Sequence, residues 1–215
     1  MNSRSTTALA AELGVIVVGI LIALGVDTWW QQRQDRGVER ESLAAVHTEF
    51  QENHARYGEA IRTHQEIVQA VVAVLAASPE NCNDELAETL RVAVYRWQTF
   101  DPATGETELL IASGRLALIR DANLRRRLAS WSSLVSDLVE DEARAVVRRD
   151  AMVDFIAMNA PTRALDVSEL ECRTLLSDAR FRYLLQARLL AEREPLTEEN
   201  RRVEHAIVEI LGATS

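Results

Sequence analysis

The longest apolar pattern in this chain is Glu12–Trp30, ELGVIVVGILIALGVDTWW, in which every position from Leu13 to Val26 is apolar or glycine. A helix over that run alone reaches about 21 Å at about 1.5 Å per residue, short of a hydrocarbon core of about 30 Å. Extended from Ala8 to Trp30 it reaches about 34 Å, enough to span. With Gly19 at the midplane, Glu12 and Asp27 then lie about 10 and 12 Å to either side, near the edges of the core, where an acidic residue costs least. Trp29 and Trp30 suit the interfacial aromatic belt. At about 100° per residue Glu12, Gly19, Ala23 and Asp27 share one sector, opposite Val, Ile and Leu. Gly19 and Ala23 form a small-xxx-small pair that lets two membrane helices approach closely. The pattern predicts a transmembrane helix over 8–30, preceded by a polar tail over 1–7, with Glu12, Gly19, Ala23 and Asp27 as its packing face and Trp29 and Trp30 as interfacial anchors. A cleaved signal peptide would share the short apolar core and the preceding Arg4, but Glu12 abuts the run and Ala23-x-Gly25 is a marginal cleavage site. A buried helix of a soluble domain would need cover on all sides, which no other segment offers.

From Gln31 the pattern stays helical until Ser78-Pro79. Leu43, Val46, Phe50, Asn53, Tyr57, Ala60, His64, Ile67, Val71 and Val74 recur in alternating steps of three and four, which predicts a packing seam on a long juxtamembrane helix over 31–78. The seam weakens towards the membrane, with Asn53 and His64 in it, and fits the first helix of an intramolecular bundle better than an oligomeric stalk. Gly37 and Gly58 are places for a bend.

The remainder, 79–215, reads as the rest of an antiparallel helical bundle. Asn83 or Asp84 caps a helix over 85–100 with Leu90, Val94 and Trp97 on one side. Asp101-Pro-Ala-Thr-Gly105 is a turn, and a short helix over 106–113 stops at Gly114. Leu116–Ile119 is too short to predict a sheet. Asp121 caps a long helix reaching Asn159, with Leu128, Trp131, Leu138 and Ile156 on its apolar stripe and the Glu140-Asp-Glu142 cluster read as solvated. Asp166-x-x-Glu169 is a capping box. Ser177 or Asp178 opens a further helix through Phe181, Leu185 and Leu190, and Pro195 kinks it or opens a last one over 196–211. No internal sequence repeat appears. The fold class expected is all-α: an N-terminal transmembrane helix, continuous with the long first helix or not, plus the bundle.

Composition narrows the function. The chain has 215 residues and net charge −9, which argues against nucleic acid as a partner. All 24 basic residues are Arg. Ala, Leu, Glu and Arg dominate, the usage of a helical protein. The two cysteines, Cys82 and Cys172, are far apart in sequence and fit either a disulfide or two free thiols; without a C-x-x-C they do not read as a catalytic dithiol.

The stretch Glu12–Trp29 resembles the opening of a family of bacterial single-span membrane proteins of unassigned function, whose motif reads roughly E-x3-V-x2-G-I-x-I-A followed by Trp. Glu108–Trp131 is similar to that family's later segment, with Ser113-Gly114 as its turn and Leu124–Leu128 as its helix start. The resemblance implies an anchored helical domain and supplies no catalytic residue. Positive-inside counting of Arg33, Arg36 and Arg40 favours a cytoplasmic head. The resemblance and the cysteine pair favour a periplasmic one, and the expectation is a bacterial inner-membrane protein with its C-terminal domain in the periplasm.

Little in the sequence reads as chemistry. His47, Gln51 and His54 share a face, but the third close ligand of a zinc site is missing. His64 sits on the seam, and His205 stands alone. There is no G-x-S-x-G, P-loop or G-x-G-x-x-G. No catalytic, cofactor-binding or metal residues are assigned, and no cofactor. The expected function is binding or scaffolding at the bilayer, with another copy or another membrane protein as partner. The alternative is a sensor holding a small ligand near Tyr95, Trp97, Trp131 and Arg120.

Overall fold

The computed structural model describes the backbone of residues 3–159, 169–198 and 200–215, and the side chains from residue 16 onward, apart from 160–170 and 199. All regular structure among the described residues is helical. Helix α1 (Ser3–Ala76) runs about 110 Å with no interruption of the helix at Gly37 or Gly58. The expected membrane segment and the expected juxtamembrane helix are one rod. Among the described residues no helix is long and apolar enough to cross a membrane. The described side chains begin at Ile16, so residues 8–15 of the expected span, Glu12 included, lie outside them.

Beyond about Leu43 the rod becomes one leg of a four-legged bundle. Helix α2 (Asp84–Tyr95) is capped by Asn83, whose side chain accepts from the Leu86 N–H at 2.9 Å. It runs back along α1, and α3 (Gly105–Ala112) continues the same return leg. Gly114, at φ 73°, makes the left-handed turn into a 3-10 segment over Arg115–Leu118, which is what the short apolar run becomes. Helix α4 (Ala122–Asn159), capped by Asp121 through the Asn123 and Leu124 N–H groups, then runs parallel to α1. Phe50 is level with Trp131, and His64 with Glu142. Helix α5 (Glu169–Ser177) follows, though the expected capping residue Asp166 lies outside the described residues. A second return leg is built from α6 (Ala179–Arg193), capped by Asp178, and α7 (Arg201–Thr214). Phe155 stacks on Phe181, while Glu142 and Glu192 meet at His64, so α6 is antiparallel to α4. The two long legs stand at opposite corners, and each return leg packs between them. The path is up-down-up-down.

Both return legs break at the same level. The helix expected over 85–100 ends at Tyr95, and residues 96–104 are irregular. The last helix starts at Arg201 rather than at 196, because a 3-10 turn over Glu194–Leu196, containing Pro195, intervenes. Two apolar cores result. The distal one gathers Val71, Val74, Leu90, Met152, Leu176 and Phe181. The proximal one, nearer the bare half of α1, gathers Phe50, Tyr57, Phe100, Leu128, Trp131 and Ile207.

Candidate functional site

The layer between the two cores holds buried charge. On α1, His64 is 2% exposed. Its Nδ1 lies 2.6 Å from Glu192 Oε2 of α6, and its Nε2 lies 3.3 Å from Glu142 Oε1 of α4. Arg188, one turn before Glu192, pairs with that carboxylate at 3.2 Å and donates to the Val94 and Arg96 carbonyls at 2.8 and 2.5 Å. Both oxygens of Glu142 accept from the Phe100 N–H, at 3.0 and 2.9 Å. With His64 protonated, two cations balance two carboxylates. Burial pulls the His64 imidazole down, but hydrogen bonds and charge from Glu142 and Glu192 outweigh it and raise its pKa to about 9. Burial lowers Arg188 to about 10, against the attraction of Glu192, so it too is charged at neutral pH.

The same layer services the broken return leg. An irregular segment inside a bundle leaves backbone N–H and C=O groups that water cannot reach. Here side chains on α1, α4 and α6 satisfy them in order. Arg188 takes the carbonyls of Val94 and Arg96, Glu142 takes the Phe100 N–H, and Arg56 donates to the Asp101 carbonyl at 2.7 Å. Asn53 bonds both the N–H and the C=O of Ala103, at 2.7 and 2.8 Å. Glu49 accepts from the Glu106 and Thr107 N–H groups at 2.6 and 3.2 Å, which places a carboxylate at the start of α3. At the second break, the buried Asn200 side chain donates to Asp141 and to the Glu194 carbonyl, both at 2.8 Å. Of the polar positions on the α1 seam, Asn53 bonds the first break directly, and His64 bonds the Glu142 and Glu192 carboxylates beside it.

Chemically the layer has acids, an imidazole and a guanidinium, and all four charged groups are enclosed. Its work is to fix the level of three helices against one another and to hold residues 94–107 in place. Glu142 corrects the solvated reading of the Glu140–Glu142 cluster: it is 1% exposed. The signal for it was its spacing, since Leu138, Glu142 and Ala145 continue the apolar stripe of α4. Arg188 and Glu192 likewise fall in step with Phe181 and Leu185 on α6. Charged residues on the inner stripes of three different helices imply one another as partners.

The other candidate residues are dispersed. Gly19, Ala23, Asp27, Trp29 and Trp30 lie on the exposed half of α1, where a Cβ at Gly19 would meet nothing within 4 Å. Asp27 accepts from the Gln31 side chain at 3.3 Å, and the Arg33 guanidinium lies over the Trp29 ring. Cys82, just after the 3-10 turn over Pro79–Asn81, and Cys172 of α5 are joined by a disulfide, both buried at the far end of the distal core. Tyr95, Trp97, Trp131 and Arg120 do not converge. Trp131 is packed against Phe50 and Phe100, and Arg120 pairs with Glu39 near the other end of the bundle. Trp97, expected on a buried helix face, is 53% exposed beneath Arg149, because α2 ends before it. His47 contacts Thr214 and Gln51, and no group of three metal-ligating side chains occurs among the described residues. No protein-family model, curated protein or solved structure matches this chain.

Proposed function

We propose that this chain is a single-pass, membrane-anchored protein of a bacterial inner membrane, with its helical bundle held in the periplasm and acting by binding. The partner is a second copy or another membrane protein. One observation carries the reading: α1 leaves the bundle and runs on with Ile16, Val17, Val18, Ile20, Leu21, Ile22, Leu24 and Val26 all exposed. An apolar band of that length covered by nothing among the described residues needs lipid or protein around it. The reading takes residues 8–15 as the rest of the span, with Trp29 and Trp30 at the interface and Glu12, Gly19, Ala23 and Asp27 towards a partner helix. The disulfide fits an oxidising compartment. A small-ligand sensor has less support, since its four candidate residues do not share a cavity.

The test is the assembly state of the full-length chain in a mild detergent, by light scattering and by capture of co-purifying membrane proteins. An oligomer or a stoichiometric membrane partner is expected, and Gly19→Ile should weaken it. A bare monomer with nothing captured contradicts the binding role.

A further inference from the structure

The outer side of the α4–α6 pair carries a groove of about 680 Å³. Its floor is Ala143, Val147, Ala187 and Leu190, with Tyr183 at one end. Val147 is 62% exposed, and Tyr183 and Leu190 are each 66% exposed. Positions 183, 187 and 190 follow one another at helical spacing, as do 143 and 147, so each helix presents an apolar outer stripe besides its buried one. Large aliphatic and aromatic side chains aligned in this way mark a contact surface.

We propose that this groove is the face through which two copies of the chain pair, side by side and parallel; the parallel arrangement rests on the anchored reading above. Copies held in one bilayer are related by a two-fold axis along the bundle. Such an axis sets α4 of one copy against α6 of the other. The walls match that pairing. The α4 wall carries Arg144 and Arg148 with Glu140, whereas the α6 wall carries Glu194 as its only charge. Glu142 and Glu192 are level at His64, so Glu194 lies within about one helical turn of Arg144 in height and within reach of its long side chain across the axis. Arg144 is held within its own chain by Glu140 at 3.1 Å and Asp141 at 2.5 Å, solvated surface pairs that exchange readily for a partner's carboxylate. Ala143 and Ala187 let the helices approach. The groove extends only about 17 Å along α6 from Tyr183 to Glu194, and a free-standing interface needs about 800 Å² per partner. Confinement by the anchors raises the effective concentration that lets so small a face pair.

Single cysteines introduced into the full-length chain test this, since the native pair is already bonded. Co-expressed copies carrying Val147→Cys and Leu190→Cys under separate tags, oxidised in membranes, should give a mixed disulfide-linked dimer at least ten times faster than copies carrying Val147→Cys and Val208→Cys, the second an exposed site on α7 outside the groove. Adding Leu190→Glu to Val147→Cys should abolish the dimer. Arg144→Glu or Glu194→Arg should each slow it, and the two together should restore it. Equal rates for the two cysteine pairings, a cross-linked band of another mass, or no rescue by the charge exchange overturns the proposal. Flotation of the same membranes separates the two failures. A chain that floats without linking through the groove leaves the anchor standing and removes this face; a chain that stays at the bottom removes the anchor itself.

Discussion

The two cores of the bundle are held in different ways. The proximal core is built on aromatic side chains, with Trp131 4.8 Å from Phe50, Tyr57 edge-on to Phe100 at 5.5 Å, and no covalent tie. The distal core is mostly aliphatic and is closed by the Cys82–Cys172 bridge, which joins the end of the α1–α2 turn to α5. The difference follows from what each end must hold. The proximal end is gripped by α1, α4 and α7, with the short α3 beside them. At the distal end the bridged partners are a turn and a nine-residue helix, too short to bury much surface of their own. The His64–Glu142–Glu192–Arg188 layer lies between and belongs to neither core.

Arg188→Met puts the largest strain on that comparison. It leaves Glu192 and the Val94 and Arg96 carbonyls buried without their partner, at about 4 kcal/mol. Urea unfolding followed at both ends should shift equally for the two cores, since the layer serves both. Trp131→Ala should cost about 3–4 kcal/mol. Its effect on hydrogen exchange should be confined to the proximal core, with Leu128 and Ile207 losing protection before Leu176. Replacing both Cys82 and Cys172 with Ser should cost about 3 kcal/mol and act the other way round, exposing Leu176 and Val71 first.

The smallest effect is that of pH. His64 is raised from 6.5 to about 9 in the folded protein. Its contribution is therefore complete below about pH 6.5 and is lost as the pH rises through 9, at about 1 kcal/mol for each pH unit in that window. The groups facing it are Glu142 from α4 and Glu192 from α6, with Arg188 beyond. Melting temperature against pH should fall between 6.5 and 9 in the native chain, and the slope should flatten in His64→Gln. An unchanged slope would mean that the imidazole is neutral in the layer.

The all-helical architecture was legible from periodicity, because stripes at three- and four-residue spacing mark a buried face wherever the helix is regular. Val46, Phe50, Tyr57, Ile67 and Val74 all lie in the cores. The cap at Asp121 is legible for a local reason, and those at Asn83 and Asp178 are legible to within one residue, each being a side chain that bonds its own first turn. The breaks were not. Periodicity carries Trp97 on past Tyr95, because nothing local stops α2 there; it is Arg188, ninety-four residues from Val94, that takes the carbonyl the helix leaves behind. Glu142 looks solvated in the sequence for the same reason. A charge cluster looks like surface until the partners that neutralise one of its members are known, and those lie on α1 and on the α2–α3 connection. The outer stripe of α6 was hidden because Leu190 and Leu185 look alike in sequence, while only the second faces inward.

What surrounds the first half of α1 decides where the bundle is held. The direct measurement is to lyse cells without detergent, wash the membranes in alkaline carbonate and follow the full-length chain. It should stay in the pellet and come out only with detergent. Intact, uncleaved chain in the carbonate supernatant would mean that the exposed apolar band is covered by something other than lipid.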